Sequence, residues 1–398
     1  MKLVVAGFGQ CGGRIADEFA KLNKKARRQR GIEIITDCYA VNTDAADLSG
    51  LRYIGKDYQH RIIIGSRKTG GHGVGKINEL GAEIAKEDSD KVIDAIRQTK
   101  RFFETDAFLF IASSAGGTGS GSIAVMTQQI KERFAYKPIY NLIALPFEHE
   151  ETTEDRTIYN TATCLKSSYS VADAVFLVDN QRYVRKDSSI KGNIDKINEL
   201  IAAPFYNMLC AGEEKKAKYV ASKVLDAGDI IQTLVGWTTI GYGRSSLPLI
   251  KFSRESRRDF RAKGDETLKG VQAMDEAISE LSLKCNPVDS KRALYLISAP
   301  GKEMNMDMVK ALGDYMRDIA PEALIRNGDY PRERGMLDVT VILSELSDVQ
   351  KVRSYYSRST SLISELQKRQ EETEAKLKEL IDASETLPSL LQFDDLGL

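Results

Sequence analysis

Short apolar runs alternate with amphipathic stretches along most of the chain. KLVVA (2–6) predicts a strand ending at Gly7, and Ile15, Phe19 and Leu22 recur near helical spacing, predicting a helix from about Gly13 to Lys24. The basic stretch KKARRQRG (24–31) reads as a solvated loop, and CYAVNTDA (38–45) as a strand ending in polar residues. Strands at 107–112, 139–145 and 174–178 alternate with helical segments at 75–100, 121–134 and 157–170. This alternation predicts an α/β fold, a parallel sheet with helices on both faces, whose ligands bind beyond the carboxyl ends of the strands. IDKINELIAAPFYNMLCAG (194–212) predicts one long apolar helix that Pro204 should kink or deprive of a hydrogen bond. RALYLISAPG (292–301) and DVTVILSEL (338–346) predict strands of a second, mixed α/β unit. From about residue 354 the composition turns charged, with Glu372–Lys376 and Glu374–Lys378 at helical spacing, and the chain ends in the tail SETLPSLLQFDDLGL.

Composition removes several classes of function. The 398 residues carry 57 lysines and arginines against 57 acids, so no global field attracts nucleic acid or an anionic membrane. Five cysteines without CxxC spacing and three histidines indicate neither a zinc site nor a disulfide framework. No run approaches the roughly 20 apolar residues of a membrane span. A cytoplasmic protein with reduced thiols is expected.

Three glycine-rich turns lie in the first 122 residues. GFGQCGGR (7–14) satisfies G-x-G-x-x-G after a strand and before a helix, which by itself is the dinucleotide fingerprint of an NAD-dependent oxidoreductase. The acid that fingerprint requires comes too late, in Asn42-Thr43-Asp44. TGGHGVGK (69–76) matches G-x-x-x-x-G-K over Gly70–Lys76, but Ile77 stands where a P-loop needs Ser or Thr. SAGGTGSGS (114–122) alternates glycines with hydroxyls between the strand DAFLFIA and a helix, where backbone N–H groups and a positive helix end converge on a phosphate.

In this order and spacing, GFGQCGG, NTD, GGHGVG and AGGTGSGS resemble the tubulin/FtsZ GTPases. INEL (197–200), VLDAGDIIQTL (224–234) and TTIGYG (238–243) extend the resemblance to about residue 345. KTGGHGVG, NELGAEIAKED, VDNQRY and LCAGEE look closest to the archaeal CetZ group. The resemblance implies a Rossmann-like GTPase domain with a parallel sheet (1–193), a long central helix (194–212), a smaller C-terminal α/β domain with a mixed sheet and the catalytic loop (213–350), and a helix and tail (351–398).

It also implies roles for particular residues. Gly9, Gln10, Cys11 and Gly12 would form the first phosphate loop, and Gly71 and Gly73 would lie near the γ-phosphate. Ala115, Gly116, Gly117, Thr118, Gly119 and Ser120 would bind the diphosphate, and Asn42 would line the same pocket. Asp44 would face Mg²⁺, although a helix N-cap serves equally well for an acid at that point. Glu150 would meet the ribose, and Asn180 and Asn198 would read guanine, since a carboxamide both donates and accepts. Asp226 and Asp229 match acids that enter the nucleotide pocket of the next molecule; read locally, they start a helix. A site completed head-to-tail generates open filaments. The protein's expected partner is therefore itself; the tail reads as a solvated linker, with LPSLLQF (387–393) as a docking peptide for a further protein the alternative. Ala115 replaces the usual first glycine of its run, and Val224 replaces an Asn two residues before the first acid. The expected function is a polymerising cytoskeletal GTPase using GTP/GDP and Mg²⁺, in cell shape or division. The alternatives are a non-polymerising GTP/GDP-binding regulator or a Rossmann oxidoreductase.

Overall fold

The computed structural model describes residues 1–184, 190–246, 260–333 and 336–364. Met1–Gln350 form one compact unit. Lys351–Leu398 form a second, of which 351–364 are described and helical. The charged pairs at 372–378 and the LPSLLQF segment lie outside the described residues.

Ten strands among the described residues are β1 (Leu3–Phe8), β2 (Ile35–Asn42), β3 (Arg61–Ile63), β4 (Ala107–Ser113), β5 (Ile139–Leu145), β6 (Ala174–Asp179), β7 (Gly236–Ser246), β8 (Ser290–Ala299), β9 (Leu324–Pro331) and β10 (Met336–Leu346). They form one sheet in the order β3-β2-β1-β4-β5-β6-β7-β10-β8-β9. The helices are α1 (Gly9–Arg30), α2 (Ala45–Ser49), α3 (Ser66–Thr69), α4 (Asn78–Glu87), α5 (Ser89–Arg97), α6 (Thr118–Arg133), α7 (Glu148–Thr153), α8 (Asp155–Val171), α9 (Ile190–Ala211), α10 (Ala227–Thr233), α11 (Phe260–Ser279) and α12 (Met306–Ile319).

Strands β1 to β6 pair in parallel, in the order of a doubly wound nucleotide-binding sheet. The winding reverses between β1 and β4, so a crevice opens there beyond their carboxyl ends. β7 continues the sheet in parallel with β6, then β10 runs antiparallel to both β7 and β8, and β9 is parallel to β8. The mixed part therefore grows directly from the parallel part.

β1, β5 and β6 are buried along their whole length, because helices cover both faces of the sheet. Runs such as LVVAGF and AVFLVD answer that demand with apolar residues at both parities, each large side chain contributing about 1.5–3 kcal/mol on burial. α9 seals one face, with Ile197, Ile201, Phe205 and Leu209 in the same core as Leu294 and Ile342.

Several local expectations need correction. KKARRQRG is not a loop: α1 continues through Arg30 to Gly31, whose φ of 73° ends it and whose N–H donates to the Arg27 carbonyl at 3.0 Å. Lys, Arg, Ala and Gln favour helix, and Arg27, Arg28 and Arg30 in the last turn meet its negative end. The segment 75–100 is not one helix but two, parted at Asp88, whose carboxylate accepts from the Gly65 N–H at 2.7 Å. Helices also begin inside the glycine runs, α1 at Gly9 and α6 at Thr118, four and three residues earlier than apolar spacing suggests. α9 runs 22 residues through Pro204 without interruption.

Candidate functional site

At the β1/β4 switch point lies a cavity of about 280 Å³. Gly9, Gln10, Cys11, Asn42, Asp44, Gly73, Ala115, Gly116, Gly117, Thr118, Gly119 and Glu150 all line it. The structure thus gathers segments up to 141 positions apart into one site. Phe8, Asp47, Lys76 and Ser113 complete the lining. Gly12, Gly71 and Ser120 belong to the same loops but not to the lining; a Cβ on Gly12 would come 2.2 Å from the Ile111 carbonyl oxygen, so its lack of a side chain lets α1 pack on β4.

Two helices open into this cavity. The N-cap residues of α1 and α6, Phe8 and Gly117, provide no side-chain cap, so the first N–H groups of each helix remain available to an anion. Gly9 has a φ of 70°, and a Cβ there would stand 3.0 Å from the Gly119 nitrogen, so the first and third loops meet through bare backbone. The second loop is stitched to the end of β2: the Gly73 N–H donates to the Thr43 carbonyl at 3.2 Å and the Ala45 N–H to the Gly71 carbonyl at 3.1 Å. Thr43 and Thr118 hydroxyls bond at 2.6 Å, joining β2 to α6.

Every carboxylate of the lining is already engaged. Asp44 caps α2, accepting from the N–H groups of Ala46 at 2.8 Å and Asp47 at 3.1 Å. Asp47 accepts from the amides of Gln10 at 2.6 Å and Asn42 at 3.0 Å. Glu150 accepts from the Phe147 N–H at 2.9 Å. Burial, and then the Glu150 carboxylate, push the Cys11 thiol up to about 12, so it stays neutral near a bound anion.

Asn160 is a residue the sequence reading missed. It is fully buried on α8, and its amide nitrogen donates to the carbonyls of Lys76 at 2.9 Å, Ala115 at 3.1 Å and Gly116 at 3.1 Å. One side chain therefore pulls carbonyls of the second and third loops together. Its signal, an Asn inside an apolar helix pattern, is the one that singled out Asn198. Asp47 was findable as the third residue beyond a capping Asp.

Asn180 and Asn198 are buried but lie outside the lining, on a 3-10 turn (Asn180–Tyr183) and on α9, which pack together. Asp226 and Asp229 are far from the cavity. α9 follows β6 and, at 22 residues, spans about 33 Å. Its far end comes to the start of β1, where the Lys2 ammonium is 3.9 Å from Glu213. The loop that follows places Asp226 at the N-cap of α10, accepting from the Asp229 N–H at 2.9 Å. The Asp229 carboxylate lies 3.5 Å from Arg326, near the amino end of β9. So the acid pair occupies the opposite end of the sheet.

The donor set suits a polyphosphate: uncapped helix N-termini, glycine backbone and hydroxyls. Among the described residues no group of three His, Cys, Asp or Glu side chains could hold a metal. A magnesium ion at Asp44 would thus need phosphate oxygens and water for its remaining ligands. No described helix is long and apolar enough to cross a membrane.

Residues 2–186 match the Tubulin/FtsZ family GTPase domain, and residues 187–361 the tubulin-like CetZ C-terminal domain. The tubulin-like protein CetZ1 of Haloferax volcanii is 33% identical over 83% of this chain and 84% of its own. The CetZ of Pyrococcus abyssi is 27% identical over 100% of this chain and 98% of its own. Among solved structures, a GTPγS-bound protofilament of CetZ2 from Haloferax volcanii superposes with a TM-score of 0.79 at 27% identity, covering 92% of this chain and 100% of that one. A GDP-bound monomer of CetZ1 gives 0.76 at 29% identity, covering 91% and 99%.

Proposed function

This chain belongs to the tubulin/FtsZ family, with a CetZ-type C-terminal domain, and from that premise we propose that it is a cytoskeletal GTPase whose active site is completed between two subunits. Residues 1–193 bind the nucleotide, 194–212 form the central helix, and 213–350 carry the catalytic loop. The switch-point cavity takes the phosphates of GTP, with Asp44 toward Mg²⁺ and Asn180 and Asn198 toward the base. Subunits assemble head-to-tail in the cytoplasm, in a filament serving cell shape.

One observation carries the proposal: the nucleotide pocket and the acid pair stand at opposite ends of one sheet. Within the pocket the three carboxylates already hold backbone N–H groups or amides. Asp229, 40% exposed, faces outward at the other end. Stacking a second copy end to end brings that acid to the first copy's γ-phosphate. There it orients the water that attacks phosphorus as the bond to the β-phosphate oxygen breaks, leaving GDP and phosphate. Helix N-termini stabilise the developing charge, and a Mg²⁺ ion held beside Asp44 and the phosphates would add positive charge there.

The test is GTP turnover as a function of protein concentration, alongside sedimentation. Turnover per subunit should rise steeply at a critical concentration. Asp229→Ala should still bind GTP and sediment, but turn over at least about 100-fold more slowly. Equal turnover in dilute monomer and polymer would sink the proposal.

A further inference from the structure

The pocket is nearly devoid of positive side chains. Its described lining holds three carboxylates, Asp44, Asp47 and Glu150, and a single cation, Lys76. This lysine ends the G-x-x-x-x-G-K pattern, whose P-loop meaning Ile77 removes. Its backbone is held in an uncommon state, with a φ of 61° that non-glycine residues seldom adopt. The hold is explicit: the Lys76 carbonyl accepts from Arg156 Nε at 3.1 Å as well as from the buried Asn160 amide.

The side chain is held differently. Nζ pairs with Glu154 at 2.8 Å, and both partners are exposed, at 41% and 47%. An exposed pair of that kind contributes little and is readily exchanged. Lysine suits exchange, since its ammonium sits on a flexible stem with no fixed geometry to satisfy. Gly73, in the same lining, lies on the loop that this lysine closes, beside the Asp44 carboxylate.

Building on the GTPase reading above, we propose that Lys76 is the terminal-phosphate ligand of this pocket. It leaves Glu154 for the phosphate when a nucleoside triphosphate binds, and so distinguishes triphosphate from diphosphate. A fixed carbonyl and a loosely parked ammonium are the two properties such a residue needs. The first places the chain beside the ligand, and the second lets charge move toward it at small cost.

The experiment compares GTPγS and GDP affinities, by titration on protein kept below its assembly concentration. Lys76→Gln should weaken GTPγS binding roughly tenfold or more, as expected for one charge-assisted bond, and leave GDP within about twofold. Glu154→Gln should strengthen GTPγS binding with GDP unchanged, because the lysine no longer has a competing partner. Thermal unfolding of each variant checks that the fold is retained. Equal weakening of both nucleotides by Lys76→Gln, or no change in their ratio, overturns the proposal. So does loss of GTPγS affinity in Glu154→Gln, which would make the pair structural. A wild type that binds neither nucleotide overturns the GTPase reading itself, and Lys76 falls with it.

Discussion

The two ends of the sheet are built from different materials. At the carboxyl ends of β1, β2 and β4 the working groups are backbone N–H groups, placed by helix starts and by loops too tight for side chains. At the opposite end, after α9, they are two aspartates on a short helix, one capping it and the other beside Arg326 at 3.5 Å. The first end can bind a polyanion but has committed its carboxylates to holding its own walls. The second has an exposed acid to offer. In the proposed reading neither end is a complete site alone, and stacking two copies is what would join them.

Complementation between two variants should give the largest effect. Gly117→Val would push a Cβ to within 2.5 Å of Val74 Cγ2 and 3.0 Å of the Lys76 carbonyl carbon, closing the pocket while leaving α10 untouched. Mixed with Asp229→Ala, it should restore turnover to at least about tenfold above either variant alone, because each supplies what the other lacks. If the mixture stays as inactive as its parts, the two ends do not meet.

A second test asks whether the pocket end is held as tightly as its hydrogen bonds imply. Asn160→Ala should unfold about 1–3 kcal/mol more easily, because three part-buried or buried loop carbonyls lose their common donor. Thermal unfolding and nucleotide titration should both register it, whereas sedimentation of nucleotide-saturated protein should change less. An unaltered melting temperature would show that the loops hold themselves.

The smallest effect should appear at neither end. On the sheet edge His60 bonds Asp37 at 3.0 Å and Asp57 at 2.7 Å and stacks on Tyr39. The Asp37 bond foremost, aided by Asp57, raises its pKa to about 9 against desolvation. A raised pKa means the charged form is favoured by folding. Its stabilisation is complete below the unfolded value of about 6.5 and is lost as pH rises toward about 9. For this partly exposed group the effect is on the order of 1 kcal/mol after screening. Denaturant unfolding across that window should show the decline in wild type but not in His60→Gln, with GTP affinity unchanged in both.

Much of this was legible in the residues. Apolar runs marked β1, β2, β4, β5, β6, β8 and β10, because a strand covered on both faces buries side chains of both parities, although β8 and β10 keep polar positions such as Lys291, Asp338 and Thr340. Glycine runs marked the three turns that the fold brings to the β1/β4 cavity, since positive φ and close backbone approach leave few alternatives. The three-residue β3 and the half-polar β9 gave no such signal, and the basic end of α1 disguised itself as a loop because charge alone does not separate a helix surface from a turn. Asn160, Asp47 and the tether of Asp17, which accepts from three N–H groups at 52–54, depend on partners far along the chain.

The boundary follows from the range of the forces. Periodicity and glycine content are local, so the residues alone mark the strand-loop-helix units and the glycine turns between them. What packs against what is not local. It took the packed fold to run α9 unbroken through Pro204, to carry Asp226 and Asp229 a full helix length from the β1/β4 cavity, and to leave Lys76 as the one cation among the described residues of an acidic lining.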